Sequence, residues 1–150
     1  MKVEITKLRE EAMLPVYQTD GAAGMDLHAC TQEPITLAPM ERRLIPTGIA
    51  IGLPRGYEAQ IRARSGLSIK HGITMVNGVG TVDADYRGEV GVLAINLGQE
   101  PFTIEPNMRI AQMVIAKYER VEWAESETLT QTDRGEGGYG STGIHHTKQP

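Results

Sequence analysis

Cysteine occurs once, at Cys30, so the chain can form no internal disulfide and cannot supply a Cys-rich zinc site. Aromatic side chains are scarce, at 5% of the chain. Basic residues are outnumbered, 15 Lys and Arg against 19 Asp and Glu, for a net charge of −4. That balance argues against direct binding of nucleic acid, which needs a basic face. No apolar stretch approaches the roughly 20 residues that cross a bilayer. The opening MKVEITKLRE lacks the apolar core of a signal peptide. The expectation is a soluble protein of the reducing cytoplasm, with no membrane partner.

What the chain does have is 150 residues, 40% of them hydrophobic and 23% charged. That is enough for one domain with a real core, and too ordered a composition for wholesale disorder. Gly 17 and Pro 8, set against so few rings, predict many turns, short strands and little helix.

Period-two alternation dominates. Ile45, Thr47, Ile49, Ile51 and Leu53 form a branched parity against Pro46, Gly48, Ala50 and Gly52, which reads as one strand. Tyr57 to Arg64 alternates apolar with polar, one side buried and the other wet or against a ligand. Residues 90–97 and 110–116 are apolar on both parities, as for strands covered on both faces. Turn signals at Asp20-Gly21, Pro54-Arg55-Gly56, Asn77-Gly78, Leu97-Gly98 and Pro106-Asn107 punctuate these runs. The pattern favours an all-β barrel or sandwich over βαβ units, with at most one short helix within Ser65 to His71. Residues 1–125 read as the barrel domain, and 126–150 as a flexible C-terminal arm.

The arm contains RGEGGYGSTG at 134–143, five glycines in ten residues. Gly135, Gly137 and Gly140 satisfy GxGxxG, but a dinucleotide site needs a strand before and a helix after, and neither is predicted. Composition alone fits a linker. Yet Arg134, Tyr139, Ser141 and Thr142 among those glycines fit a lid that orders over a nucleotide phosphate chain. In RARSGL, Arg62 and Arg64 share a strand face before a Ser65-Gly66 turn. They either hold phosphate oxygens or line a solvated edge. No Walker A pattern occurs, which excludes a P-loop NTPase.

The segment NGVGTVDADYRGEVG, 77–91, opens with an Asn-Gly turn, and Gly78 and Gly80 leave a narrow hairpin with bare backbone groups. On a strand, Asp83 and Asp85 would share a face, as a metal or base pair or as plain turn residues. Tyr86 serves packing or function. Gln112 is the polar residue within the apolar run IAQMVI, so its amide has a hydrogen-bond partner in either the protein or a ligand. Asp26 lies beside small residues at the entry to a strand. Tail residues His145 and His146 supply too few ligands for a metal site, and Cys30 is expected in the core.

Taken in order, AGMDLHA (23–29), RSGLSIKHGI (64–73), NGVGTVDADYRGEV (77–90), RIAQMVI (109–115) and RGEGGYGSTG (134–143) resemble the five motifs of the trimeric dUTPase family. The resemblance spans nearly the whole chain. It implies a jelly-roll-like distorted β-barrel, assembled as a homotrimer with sites shared between subunits. It also implies Mg²⁺-dependent hydrolysis of dUTP to dUMP and pyrophosphate, which limits uracil entry into DNA and supplies dUMP for dTMP synthesis.

Carried over by position, Asp83 would activate the water that attacks the α-phosphorus. Ser65, beside Gly66, would hydrogen-bond the α–β bridging oxygen, and Arg64 and Gln112 would contact phosphates. Asn77 and the backbone near Gly80 and Val82 would read uracil, and Tyr86 would lie under the sugar and exclude a ribose 2′-OH. Arg134, Gly140, Ser141 and Thr142 would close over the γ-phosphate. Tyr139 stands where the family usually has phenylalanine, and would still stack on the base. Mg²⁺ would be held mainly by the triphosphate, with Asp26 acting through water. The related dCTP deaminases carry a catalytic glutamate at a position that here is Leu93, which cannot shuttle a proton. A relative that binds nucleotide without turnover would be expected to have lost one or more of Asp83, Ser65, Gln112 and Arg134, and all four are present.

Overall fold

The alternation seen in the sequence becomes a division between core and solvent along a series of short strands. The computed structural model describes residues 1–139. In chain order the strands are β1 (Glu4–Lys7), β2 (Val16–Tyr17), β3 (Met25–His28), β4 (Ile35–Leu37), β5 (Arg42–Pro46), β6 (Ile49–Gly52) and β7 (Tyr57–Arg62). The helix α1 (Ser65–His71) follows, then β8 (Ile73–Met75), β9 (Gly80–Val82), β10 (Gly91–Asn96), β11 (Phe102–Ile104) and β12 (Arg109–Lys117). All pairings are antiparallel: β2-β3-β12-β7-β9, β5-β10-β8, β1-β6 and β4-β11. This is the all-β fold with one short helix that the alternation predicts, in the jelly-roll-like distorted barrel that the family resemblance implies.

The first compact unit is Met1–Arg120, and the second runs from Val121. In the first, Leu27, Leu37, Ile45, Ile49, Ile61, Ile104, Val90 and Val92 are fully buried. Each such side chain contributes about 1.5–3 kcal/mol. Cys30 is buried and free, as expected. Asn96, also buried, satisfies its amide by donating to Leu37 O (2.9 Å) and Glu100 O (2.8 Å) and accepting from Gly98 N–H (2.8 Å).

Two expectations change. The run Ile45–Leu53 is two strands, β5 and β6, in different sheets. The break falls at Gly48, whose φ of +70° no extended strand can hold and whose position leaves no room for a β-carbon beside Cys30 and Ala12. Residues 90–97 are not covered on both faces within one chain. Leu93 is 39% exposed and its cross-strand partner Leu44 63%, on the outer face of β5-β10-β8.

The helix α1 buries no side chain. It begins after the extended Arg64 and stops at Gly72, whose left-handed conformation returns its N–H to Ser68 O at 3.0 Å. Among the described residues no helix is long and apolar enough to cross a membrane.

Candidate active site

Strand β12 lies between β3 and β7, with Gln112 opposite Asp26 on one side and Arg62 on the other. Asp26 is only 8% exposed. A carboxylate at that depth needs partners, and it has two: Arg64 Nε at 3.0 Å from Oδ1 and Arg109 Nη1 at 3.1 Å from Oδ2. Arg64 Nη1 also donates to Arg109 O at 3.0 Å. The three groups line an open cleft of about 390 Å³ together with Gln18, Gly24, Ser65, Gly66 and Gln112. Two guanidinium groups against one carboxylate leave the cleft with an excess positive charge, suited to an anion.

Gln112 Nε2 donates to Ala63 O at 2.9 Å, so the amide's partner is the protein. Its Oε1 sits over Gly24, where a β-carbon would collide with it. His28, on the same strand as Asp26 and level with Arg109, has Nδ1 buried without a hydrogen-bond partner. Burial holds its pKa below the ordinary histidine value; Asp26 opposes that shift, and Arg109 and Arg64 reinforce it.

The pairing of Arg62 with Arg64 on one strand face does not occur. β7 ends at Arg62, whose guanidinium bonds Gln60, whereas Arg64 has turned toward Asp26 as the residue that precedes α1. Ser65 and Gly66 open the helix itself. Nor do Asp83 and Asp85 share a strand face, because β9 ends at Val82 and the two aspartates lie in a turn closed by Tyr86 N–H to Asp83 O (3.2 Å).

The expected hairpin does not form, because β8 pairs with β10 and β9 with β7, so the Asn77-Gly78 turn passes the chain between two sheets. Gly78 has φ +71° and donates to Met75 O at 3.1 Å, while Gly80 packs on Ile61 with Asn77 Nδ2 alongside. Val82 is buried and Asp83 exposed. Tyr86 is 46% exposed, and its hydroxyl donates to Glu89 O at 3.0 Å.

Register separates Asp83 from the cleft. Ala59 pairs with Val82, which puts Asp83 level with Glu58, at the start of β7. Arg64 lies beyond the other end, six residues further along, or about 20 Å at ~3.3 Å per residue. The structure therefore brings together Asp26, Arg64, Ser65, Gly66 and Gln112, and places Asp83 elsewhere on the same chain.

In the second unit, Arg134 Nε donates to Gly137 O at 2.7 Å, and Tyr139 is exposed with φ +47°. Gly140, Ser141, Thr142, His145 and His146 lie outside the described residues.

Sequence reasoning missed Arg109 as a cleft residue, along with Gln18 and Gly24. Among the described residues no three metal-ligating side chains converge. Asp26, with an arginine on each oxygen, is the one carboxylate among the described residues of the cleft. That donor set fits Mg²⁺, which retains water and binds through substrate phosphates, and does not fit a protein cage.

The dUTPase family model matches residues 10–143. A deoxyuridine 5′-triphosphate nucleotidohydrolase of Rickettsia felis is 60% identical over 144 residues, 95% of this chain and 97% of that protein. The protein of the same name from Rickettsia bellii is 63% identical over 132 residues, 88% of each. Among solved structures, the Staphylococcus bacteriophage 80alpha dUTPase with dUPNHPP superposes with a TM-score of 0.87 at 26% identity, over 95% of this chain and 99% of that one. A dUTPase variant from phage phi11 of S. aureus, solved for the coordination of a structural Mg(II) ion, has the same fold, with a TM-score of 0.78 at 23% identity over 87% of this chain and 100% of that one.

Proposed function

The chain belongs to the dUTPase family and hydrolyses dUTP to dUMP and pyrophosphate, and we propose that the work is divided between the cationic cleft of one subunit and the Asp83 loop of another within a homotrimer. The observation that carries this division is the separation, by about 20 Å along β7, of Asp83 from the Arg64 cleft. The exposed Leu44–Leu93 pair supplies an apolar face of the kind an assembly covers.

In this reading Arg64 and Gln112 hold the phosphates, with Arg64 kept in place by Asp26. Ser65, beside Gly66, donates to the α–β bridging oxygen and stabilises the charge that builds there as the bond breaks. Asp83 orients a water in line with that bond and takes its proton. In-line displacement at phosphorus needs positioning and charge neutralisation more than covalent help. Mg²⁺, carried by the triphosphate, would supply further neutralisation there, with Asp26 reaching it through water.

Asn77 and the backbone around Gly80 and Val82 read uracil O4 and N3–H, where cytosine would set donor against donor. Tyr86 lies under the sugar. Arg134, Tyr139, Gly140, Ser141 and Thr142 close over the γ-phosphate and base. The buried free thiol of Cys30 suits a reducing compartment, and we place the reaction in the cytoplasm.

The test is pyrophosphate release from dUTP, dCTP, dTTP and UTP measured side by side with Mg²⁺. Release from dUTP at least about 10³-fold faster than from the others is expected of a site built on base and sugar hydrogen bonds. Release from dCTP with ammonia, or none from dUTP, would overturn the substrate reading.

A further inference from the structure

The loop that carries Asp83 and Tyr86 joins β9 to β10 without strand pairing of its own, so something else must hold its shape. At its C-terminal end stands Glu89. Its carboxylate accepts a two-pronged bond from Arg9, Nη1 to Oε1 at 2.8 Å and Nη2 to Oε2 at 3.1 Å. Oε1 also accepts the Gly48 N–H at 2.7 Å. One side chain thus collects three donors from two separate stretches of chain, the segment after β1 and the turn between β5 and β6. That turn is itself tied down, since Gly48 O accepts from Leu8 N–H at 2.7 Å and Thr47 Oγ1 donates to Val90 O.

The other end of Glu89 faces the loop. Its carbonyl accepts the Tyr86 hydroxyl at 3.0 Å. The ring reaches back that far only because residue 88 is glycine; a β-carbon there would stand 2.6 Å from Tyr86 Cζ. Tyr86 N–H in turn closes the turn on Asp83 O, and Arg87 Nη1 donates to Ala84 O (2.7 Å) and Tyr86 O (2.8 Å). An unbroken series of hydrogen bonds therefore runs from Arg9 and Gly48 through Glu89 to Tyr86 and on to Asp83.

We propose that Glu89, clamped by Arg9, is a positioning residue that sets where Tyr86 meets the sugar and so how well the enzyme rejects UTP. The inference rests on the placement of Tyr86 under the sugar in the function proposed above. An exposed ion pair alone contributes little. A bidentate pair that also takes a backbone N–H is geometrically specific, and its effect is on position more than on stability.

The experiment measures kcat/KM with dUTP and with UTP, with Tm recorded alongside, for wild type and for Glu89→Ala, Arg9→Ala, Arg9→Lys, Tyr86→Phe, Tyr86→Ala and the Glu89→Ala/Tyr86→Phe double variant. Glu89→Ala and Arg9→Ala are expected to shrink the dUTP-over-UTP ratio about tenfold, and Arg9→Lys to recover part of it. The double variant should lose no more discrimination than the worse single one, since both act through one path. Arg9 variants keep the measurement informative should Glu89→Ala fail to fold. A wild type that does not discriminate between the sugars overturns the underlying substrate reading. Wild-type discrimination that Tyr86→Ala abolishes, but Glu89→Ala and Arg9→Ala leave unchanged, overturns the positioning role while the substrate reading stands. A lowered Tm with an unchanged ratio does the same, because it makes the clamp purely structural.

Discussion

Gly24 and Asp83 do unlike work, and single substitutions separate them. At Gly24 a methyl group would occupy the space of Gln112 Oε1, so Gly24→Ala should push the amide out of the cleft without touching the nucleophile. One hydrogen bond to a charged phosphate is worth about 1.5–3 kcal/mol, so KM for dUTP should rise at least about tenfold with kcat little changed. Steady-state kinetics with an unchanged KM would show that Gln112 does not bear on the phosphates. Asp83→Asn keeps the size of the side chain and removes the base. A loss of about 10²–10⁴-fold in kcat is expected, while binding of a non-hydrolysable imido analogue of dUTP, followed by calorimetry, stays within a factor of about three. Turnover at the wild-type rate would take Asp83 out of the base role.

Among the elements, the sequence was most legible where one local rule suffices. Ser65–His71 reads as the helix and is the helix, and Ala59 and Ile61 are buried as the alternation of β7 requires. The Asn77-Gly78 turn lies where its dipeptide predicts. Legibility failed where the backbone breaks period. Arg109 and Gln112 have opposite parity, so strict alternation sends them to opposite faces of the sheet. A bulge between Arg109 and Ala111 takes up one residue and lets both line one cleft, an event with no Gly or Pro to announce it. The Asp26–Arg109 pair spans 83 positions and was equally invisible, since nothing local calls for it. The motif resemblance identified Arg64 and Ser65, but could not show that Asp26 is what holds the arginine. The arm makes its own prediction at this scale. Truncation after Thr132 removes Arg134, Tyr139, Ser141 and Thr142, and should lower kcat/KM for dUTP at least about 10²-fold while the number of subunits in the assembly, by light scattering, is unchanged. Dissociation of the truncated chain would make the arm a structural element instead of a lid.

For the whole molecule, the distance between the Asp83 loop and the Arg64 cleft predicts complementation. Two inactive proteins, Ser65→Ala and Asp83→Asn, each defective in one half of every site, should regain activity when unfolded and refolded together. Random mixing in equal amounts leaves about a quarter of the sites with both halves intact. Activity near that fraction in the refolded mixture, rising to about a third of wild type in mixed trimers separated from the homotrimers, is the expected result. None at all would place both halves of the site within one subunit.

In the proposed trimer, register, set by the pairing of Ala59 with Val82, reaches beyond the single chain. With sites shared in this way, a cell that makes two alleles of this protein would not hold two populations of enzyme. It would hold a mixture in which a defect in one allele is masked or spread according to who sits beside whom. Two recessive lesions can cure each other, and a lesion that blocks assembly is silent where one that blocks chemistry is not. Dominance, ordinarily a property of genes, would then be set by the hydrogen-bond register of two β-strands.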